Sequence, residues 1–280
     1  MSTRFNRPLI LGALIALPFA ATAQGKYADV NGLHMYYEIH GKGEPLLLLH
    51  GAFSTAEGWG SIVPSLAKTR QVIVVELEGH GHTKDLERPL SIHQMAEDAA
   101  GLVKQLGIKQ VDVFGYSMGG FVGLDLAAKH PELVRRLATI GSAAGPVKET
   151  MDPANFALMS SITPENFNAP QITDPYTKVA PDPSRWPIFV KKVIAMILSS
   201  PGIPDDQLKG IKSEVLIMGG DRDAFKLESL VDTYRAVPGA QLAIFPGADH
   251  FLVIFSPDKV LATLVPFLDG VKQPTMPTGP

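Results

Sequence analysis

Six short apolar runs recur along the chain: PLLLL (45–49), VIVV (72–75), VDVF (111–114), LATI (137–140), VLIM (215–218) and LAIF (242–245). Runs of four or five residues with little polar alternation suit strands buried on both faces. Between them, over about 92–106, 118–129, 228–237 and 257–268, apolar residues return at every third or fourth position, the period of an amphipathic helix. Strand, helix, strand, helix predicts an α/β fold with a mostly parallel sheet and helices on both faces. Ahead of these, Tyr27–Val30 and Leu33–Glu38 flank Asn31-Gly32, a strong two-residue hairpin signal, so the sheet opens with an antiparallel N-terminal hairpin.

One segment breaks the rhythm. Residues 143–210 hold ten prolines, a helical fragment at Phe189–Leu198 and no buried strand pattern. Lying between two sheet strands, this insertion must cover an edge or end of the sheet. The predicted organisation is therefore a core at 24–142 and 211–270, a helical cap or lid at 143–210, and a flexible tail at 271–280. Residues 1–23 read as a signal peptide: Arg4 and Arg7 precede an apolar run at 9–21, which ends in Ala21-Thr22-Ala23. The run is too short to span a bilayer, so cleavage after Ala23 and a periplasmic or secreted protein are expected, without stable membrane insertion.

Composition narrows the chemistry. With 45% hydrophobic and 19% charged residues the 280-residue chain is not disordered, and a net charge of −3 argues against nucleic acid as a partner. No cysteine is present, which excludes disulfides, a thiol nucleophile and thiolate metal sites. Covalent catalysis would need another nucleophile.

Gly115-Tyr116-Ser117-Met118-Gly119-Gly120 supplies a candidate, because it follows a predicted strand and opens a predicted helix. A serine on such a sharp turn stands exposed at the carboxyl edge of the sheet, and the flanking glycines allow strand and helix to approach. Serine needs a base within reach and an acid to orient that base. His250 is the candidate base, since it follows the run 242–245 in a loop, whereas His130 sits at a helix end beside Pro131. For the acid, the run 215–218 leads into Gly219-Gly220-Asp221-Arg222-Asp223, and spacing from the strand end favours Asp223 over Asp221.

The order Ser117, Asp223, His250, each after a parallel strand, resembles the α/β-hydrolases of the esterase and non-haem haloperoxidase type across residues 27–270. Three further segments carry the resemblance: His50-Gly51, the run Glu76 to Thr83, and the proline-rich insertion where relatives carry a lid. Glu76 and Thr83 depart from the Asp and Ser usual in the family. The resemblance implies an α/β-hydrolase fold and an oxyanion hole formed by the backbone N–H groups of Ala52 and Met118, with Phe53 in place of Ala52 if the loop is shifted by one. The Gly-His-Gly-His spacing at 79–82 does not match a zinc site, and neither metal nor cofactor is expected.

The resulting expectation is a serine hydrolase acting on a small-molecule ester or lactone through an acyl-enzyme. Perhydrolysis on the same residues and a non-catalytic ligand-binding protein are the alternatives. Trp186 and Phe189, with Phe156, Phe167 and Met196, are candidates for an apolar substrate site in the insertion, or pack it onto the sheet.

Overall fold

Asn31 and Gly32 both adopt positive φ, 49° and 80°, the conformation that a two-residue hairpin turn needs. In the computed structural model, which describes residues 25–167 and 169–272, they join β1 (Lys26–Val30) to β2 (Leu33–His40). The remaining strands are β3 (Glu44–Leu49), β4 (Arg70–Val75), β5 (Val111–Tyr116), β6 (Val134–Ile140), β7 (Glu214–Arg222) and β8 (Gln241–Asp249). They form one sheet in the order β1-β2-β4-β3-β5-β6-β7-β8, antiparallel where β1 meets β2 and β2 meets β4 and parallel elsewhere. The expected leader at 1–23 lies outside the described residues, as does the expected tail beyond residue 272. Among the described residues no helix is long and apolar enough to cross a membrane.

Successive strand residues divide between two cores. Leu47, Leu49, Ile73, Val113 and Ile217 join one apolar cluster, while Leu46, Leu48, Val72, Phe114 and Met218 join the other. This is the period-two consequence of a sheet covered on both faces, and it explains why the strands read as mostly apolar runs without regular alternation. On one side lie α2 (Ile92–Gln105), α3 (Met118–Lys129) and α9 (Leu227–Ala236), and on the other α1 (Ile62–Leu66) and α11 (Pro257–Leu268). Truncating a fully buried residue such as Leu47 to Ala would cost about 2–5 kcal/mol.

The insertion holds α4 (Val147–Thr150), α5 (Pro153–Ser161), α6 (Pro170–Val179), α7 (Trp186–Ser199) and α8 (Asp205–Gly210), followed after β8 by α10 (Leu252–Phe255). Several of its prolines start helices, although Pro175 stands inside α6. Pro153 and Pro170 open α5 and α6, and Pro187 stands in the first turn of α7, positions where the missing N–H has no intrahelical partner to lose. The cap is tied to the core at Asp85, whose buried carboxylate accepts two bonds from Arg185, at 2.6 and 2.7 Å, and one from Lys192.

Candidate active site

Ser117 sits between β5 and α3 with φ 52° and ψ −120°, a region that a serine occupies only under strain. Its N–H donates to Ile140 O at 2.9 Å and its carbonyl accepts from Gly120 N at 2.8 Å, so both neighbouring elements hold the turn. Gly119 is required here, because a Cβ would collide with the Leu49 carbonyl.

The strand ends of β7 and β8 supply the partners. His250 Nε2 lies 2.9 Å from Ser117 Oγ, and His250 Nδ1 lies 2.7 Å from Asp223 Oδ1. A carboxylate only accepts, so Nδ1 carries the imidazole proton and Nε2 is left to accept from the serine hydroxyl. The Asp223 side chain is almost wholly buried, and its Oδ1 also accepts the Phe225 N–H at 3.3 Å. The imidazole ring packs against Gly141, where φ is +67° and a Cβ would stand 3.0 Å from the ring. Asp221 turns elsewhere, accepting the Gly247 N–H at 2.7 Å. Thus Ser117, Asp223 and His250 are brought together from three loops, and Asp221 is not among them.

Ala52, Phe53 and Met118 line the same cavity as Ser117. Among the described residues, the backbone N–H groups of Ala52, Phe53 and Met118 donate to no backbone or side-chain acceptor, so all three are free to meet a ligand. The loop that carries the first two is pinned from both ends. His50 Nδ1–H donates to Gly51 O at 2.8 Å while its Nε2 accepts the Leu77 N–H at 3.1 Å. Glu76 accepts the Ala56 N–H at 2.9 Å and both the backbone and ring N–H of His82. Burial pushes the His50 imidazole down to about 4, which keeps it in the neutral form that its bonding requires. Burial, then the neighbouring His50, hold His80 well below the usual histidine range, whereas burial raises the Glu76 carboxyl.

The cavity, of about 390 Å³, has a mostly apolar wall. The cap contributes Met151, Leu158, Met159, Ile162, Phe167 and Ile172, and the core contributes Phe121 and Phe225. Beyond the serine and histidine, its polar lining is Asn155, Ser200, Arg222 and Asp249. Here the structure corrects one expectation: Trp186 and Phe189 do not line this cavity. They pack in an aromatic cluster with Phe53, Phe167 and Tyr176, at centroid separations of 5.0–6.1 Å. Phe189 and Met196 belong to the core, and Phe156 packs beside Phe121 and Phe225; of the aromatic candidates only Phe167 reaches the cavity. Phe225 and Phe251, two residues after Asp223 and one after His250, also line it, and their adjacency to those residues was the available signal.

The sequence profile of the alpha/beta hydrolase fold matches residues 44–192, more than half of the chain. The chain belongs to this family. With serine, histidine and aspartate in bonded series, it is a serine hydrolase of that fold. The 2-hydroxymuconate semialdehyde hydrolase of Pseudomonas sp. strain CF600 is 28% identical over 253 residues, covering 82% of this hydrolase and 88% of the relative. Among solved structures, the enol-lactonase of Burkholderia xenovorans LB400 superposes with a TM-score of 0.70 at 23% identity, over 87% of this chain and all of that one. A thermophilic esterase of Thermogutta terrifontis gives 0.67 at 23% identity, over 90% of this chain and all of that one. Those two likenesses establish a shared fold.

Proposed function

We propose that this hydrolase cleaves a carboxylic ester or lactone with an apolar acyl group, without a cofactor and through an acyl-enzyme. The observation that carries the reading is the series Ser117 Oγ, His250, Asp223, bonded at 2.9 and 2.7 Å and opening into an apolar cavity.

In the proposed reaction His250 Nε2 takes the hydroxyl proton as Ser117 Oγ bonds to the carbonyl carbon. The N–H groups of Ala52 and Met118 receive the oxygen as it gains negative charge. Asp223 holds the imidazole orientation and stabilises its cation. Collapse of the tetrahedral intermediate breaks the ester C–O bond, and the imidazolium returns its proton to the departing alkoxide. Water then repeats the sequence: His250 takes its proton, the hydroxyl bonds to the acyl carbon, and the acid leaves as Ser117 recovers its hydrogen. An alkoxide leaves more readily than an amide nitrogen anion, which favours esters and lactones over amides. The solved enol-lactonase and esterase with this fold are compatible with that choice.

The test is a fluorophosphonate label followed by a panel of p-nitrophenyl esters and lactones on the purified chain. Stoichiometric modification of Ser117 with turnover of the panel is expected, and Ser117→Ala should lower kcat by about three orders of magnitude or more. An unlabelled Ser117 in folded protein, or undiminished turnover by Ser117→Ala, overturns the reading. On the sequence of its first 23 residues, export with cleavage after Ala23 is part of the same proposal.

A further inference from the structure

Three non-glycine residues take positive φ among the described residues: Asn31 in the hairpin, Ser117 at the nucleophile turn, and Phe53 at +62°. Asparagine tolerates this region, and the serine turn is held by two elements. A phenylalanine there is an outlier that persists only when its surroundings over-determine it. Phe53 directly follows Ala52, and its φ sets the plane of the peptide that joins them. The strained torsion therefore lies directly beside Ala52, whose N–H is proposed above to face the oxyanion.

Among the described residues, hydrogen bonds restrain the loop on either side of Phe53 but not at it. Gly51 is held by the His50 ring and by the Ser54 N–H, and Ala56 by Glu76. What grips Phe53 is its ring, which meets three aromatic rings of the cap: Phe167 at 4.9 Å, Phe189 at 5.6 Å and Trp186 at 6.1 Å. The grip is itself backed by the core. Phe189 is fully buried, meets the His80 ring edge-on at 4.8 Å, stacks on Tyr176 at 5.0 Å, and lies against Gly79 so closely that a Cβ there would stand 3.1 Å from its ring.

We propose that Trp186 and Phe189 are positioning residues, which act through the Phe53 ring to hold the oxyanion loop in its strained, working conformation. The inference rests on the proposed hydrolase mechanism and gives these two residues a role in kcat, not in the shape of the substrate site. Seating of the cap and assembly of the oxyanion hole become one event.

Comparing Phe53→Ala with Phe53→Gly tests this directly. Alanine keeps the steric penalty at +62° and loses the ring, so the loop relaxes; glycine takes that torsion freely and needs no grip. The expected order is kcat for Phe53→Gly above Phe53→Ala, with Phe53→Ala lowered on the order of tenfold or more. A role in packing or cavity lining alone predicts the reverse, because glycine removes more side chain. Trp186→Ala should lower kcat with KM within about threefold of the parent, and the loss should vanish when Trp186→Ala is added to Phe53→Gly. If Trp186→Ala proves unfolded by thermal melting, Phe189→Leu takes its place in the same cycle. Crystal structures of Phe53→Ala and Trp186→Ala read the same point without turnover: residue 53 should move to negative φ. A Gly variant no better than Ala, a Trp186→Ala loss undiminished in the Phe53→Gly background, or a residue 53 still near +62° overturns the inference. Failure of Ser117 to take the fluorophosphonate in the parent protein would instead count against the hydrolase reading.

Discussion

Asp221 accepts the backbone N–H of Gly247 at 2.7 Å, so it straps the end of β7 to the end of β8 and leaves the His250 ring to Asp223. Two aspartates a single residue apart thus do different work. Asp223→Asn should lower kcat by a factor on the order of 10³ to 10⁴, through the wrong imidazole tautomer. Asp221→Asn should stay within about tenfold of the parent, because it weakens one bond between strand ends and leaves the His250–Asp223 pair untouched. Steady-state kinetics on one p-nitrophenyl ester rank the two, and the opposite ranking would reassign the acid.

Substrate preference should follow the residues that face the cavity. Met159→Trp, which fills part of the cap wall, should lower kcat/KM for long acyl esters relative to acetate by about tenfold or more, since each methylene in such a site is worth about 1–3 kcal/mol. Trp186→Ala should scale all members of the same ester series alike. A chain-length profile unchanged by Met159→Trp would show that the acyl group binds elsewhere.

Stability should fall on the acid side through His50. Its folded-state value, about 4, lies below the ordinary histidine value near 6.5, so the unfolded chain binds the proton more readily. The contribution of the neutral, bonded ring is complete above about pH 6.5 and is lost progressively down to about pH 4, by roughly 3 kcal/mol in all. His80 acts in the same direction, and the raised Glu76 carboxyl acts against them. Urea melts of the parent and His50→Gln between pH 7 and pH 4 isolate this contribution: the gap between them should narrow as pH falls. A gap that is constant with pH contradicts the assignment.

Export predicts a new N-terminus. Mass spectrometry of protein released by a bacterial host should begin at Gln24, whereas a full-length chain in the membrane fraction would point to an uncleaved anchor.

The sheet could be read from the sequence because both of its faces are covered, which leaves six apolar runs with little polar interruption. The nucleophile turn and its partners were readable for a related reason: each follows the end of such a run, where α/β folds expose side chains. The cap resisted reading. Neither α5, with no buried residue, nor α6, with Tyr176 as its buried residue, presents a broad apolar stripe to a core, and prolines that start helices look in sequence like prolines that end them. Trp186 and Phe189 were placed among possible substrate contacts because residue type records that a ring will be buried, not which ring it will meet. The torsion of Phe53 had no sequence signal at all, since nothing about a phenylalanine announces positive φ.

The insertion leaves the sheet at β6 and rejoins it at β7, and these strands are paired neighbours. Its two ends are fastened to each other, with Ile203 N–H donating to Ala144 O at 2.7 Å and Val147 N–H donating to Ser200 O at 3.2 Å. A segment clasped at its own base can change in length and sequence without altering strand register. Such a chain can acquire new substrates by changes confined to one stretch of gene, provided the Asp85 ties and the rings around Phe53 are kept, while the sheet and the residues at its strand ends are inherited intact.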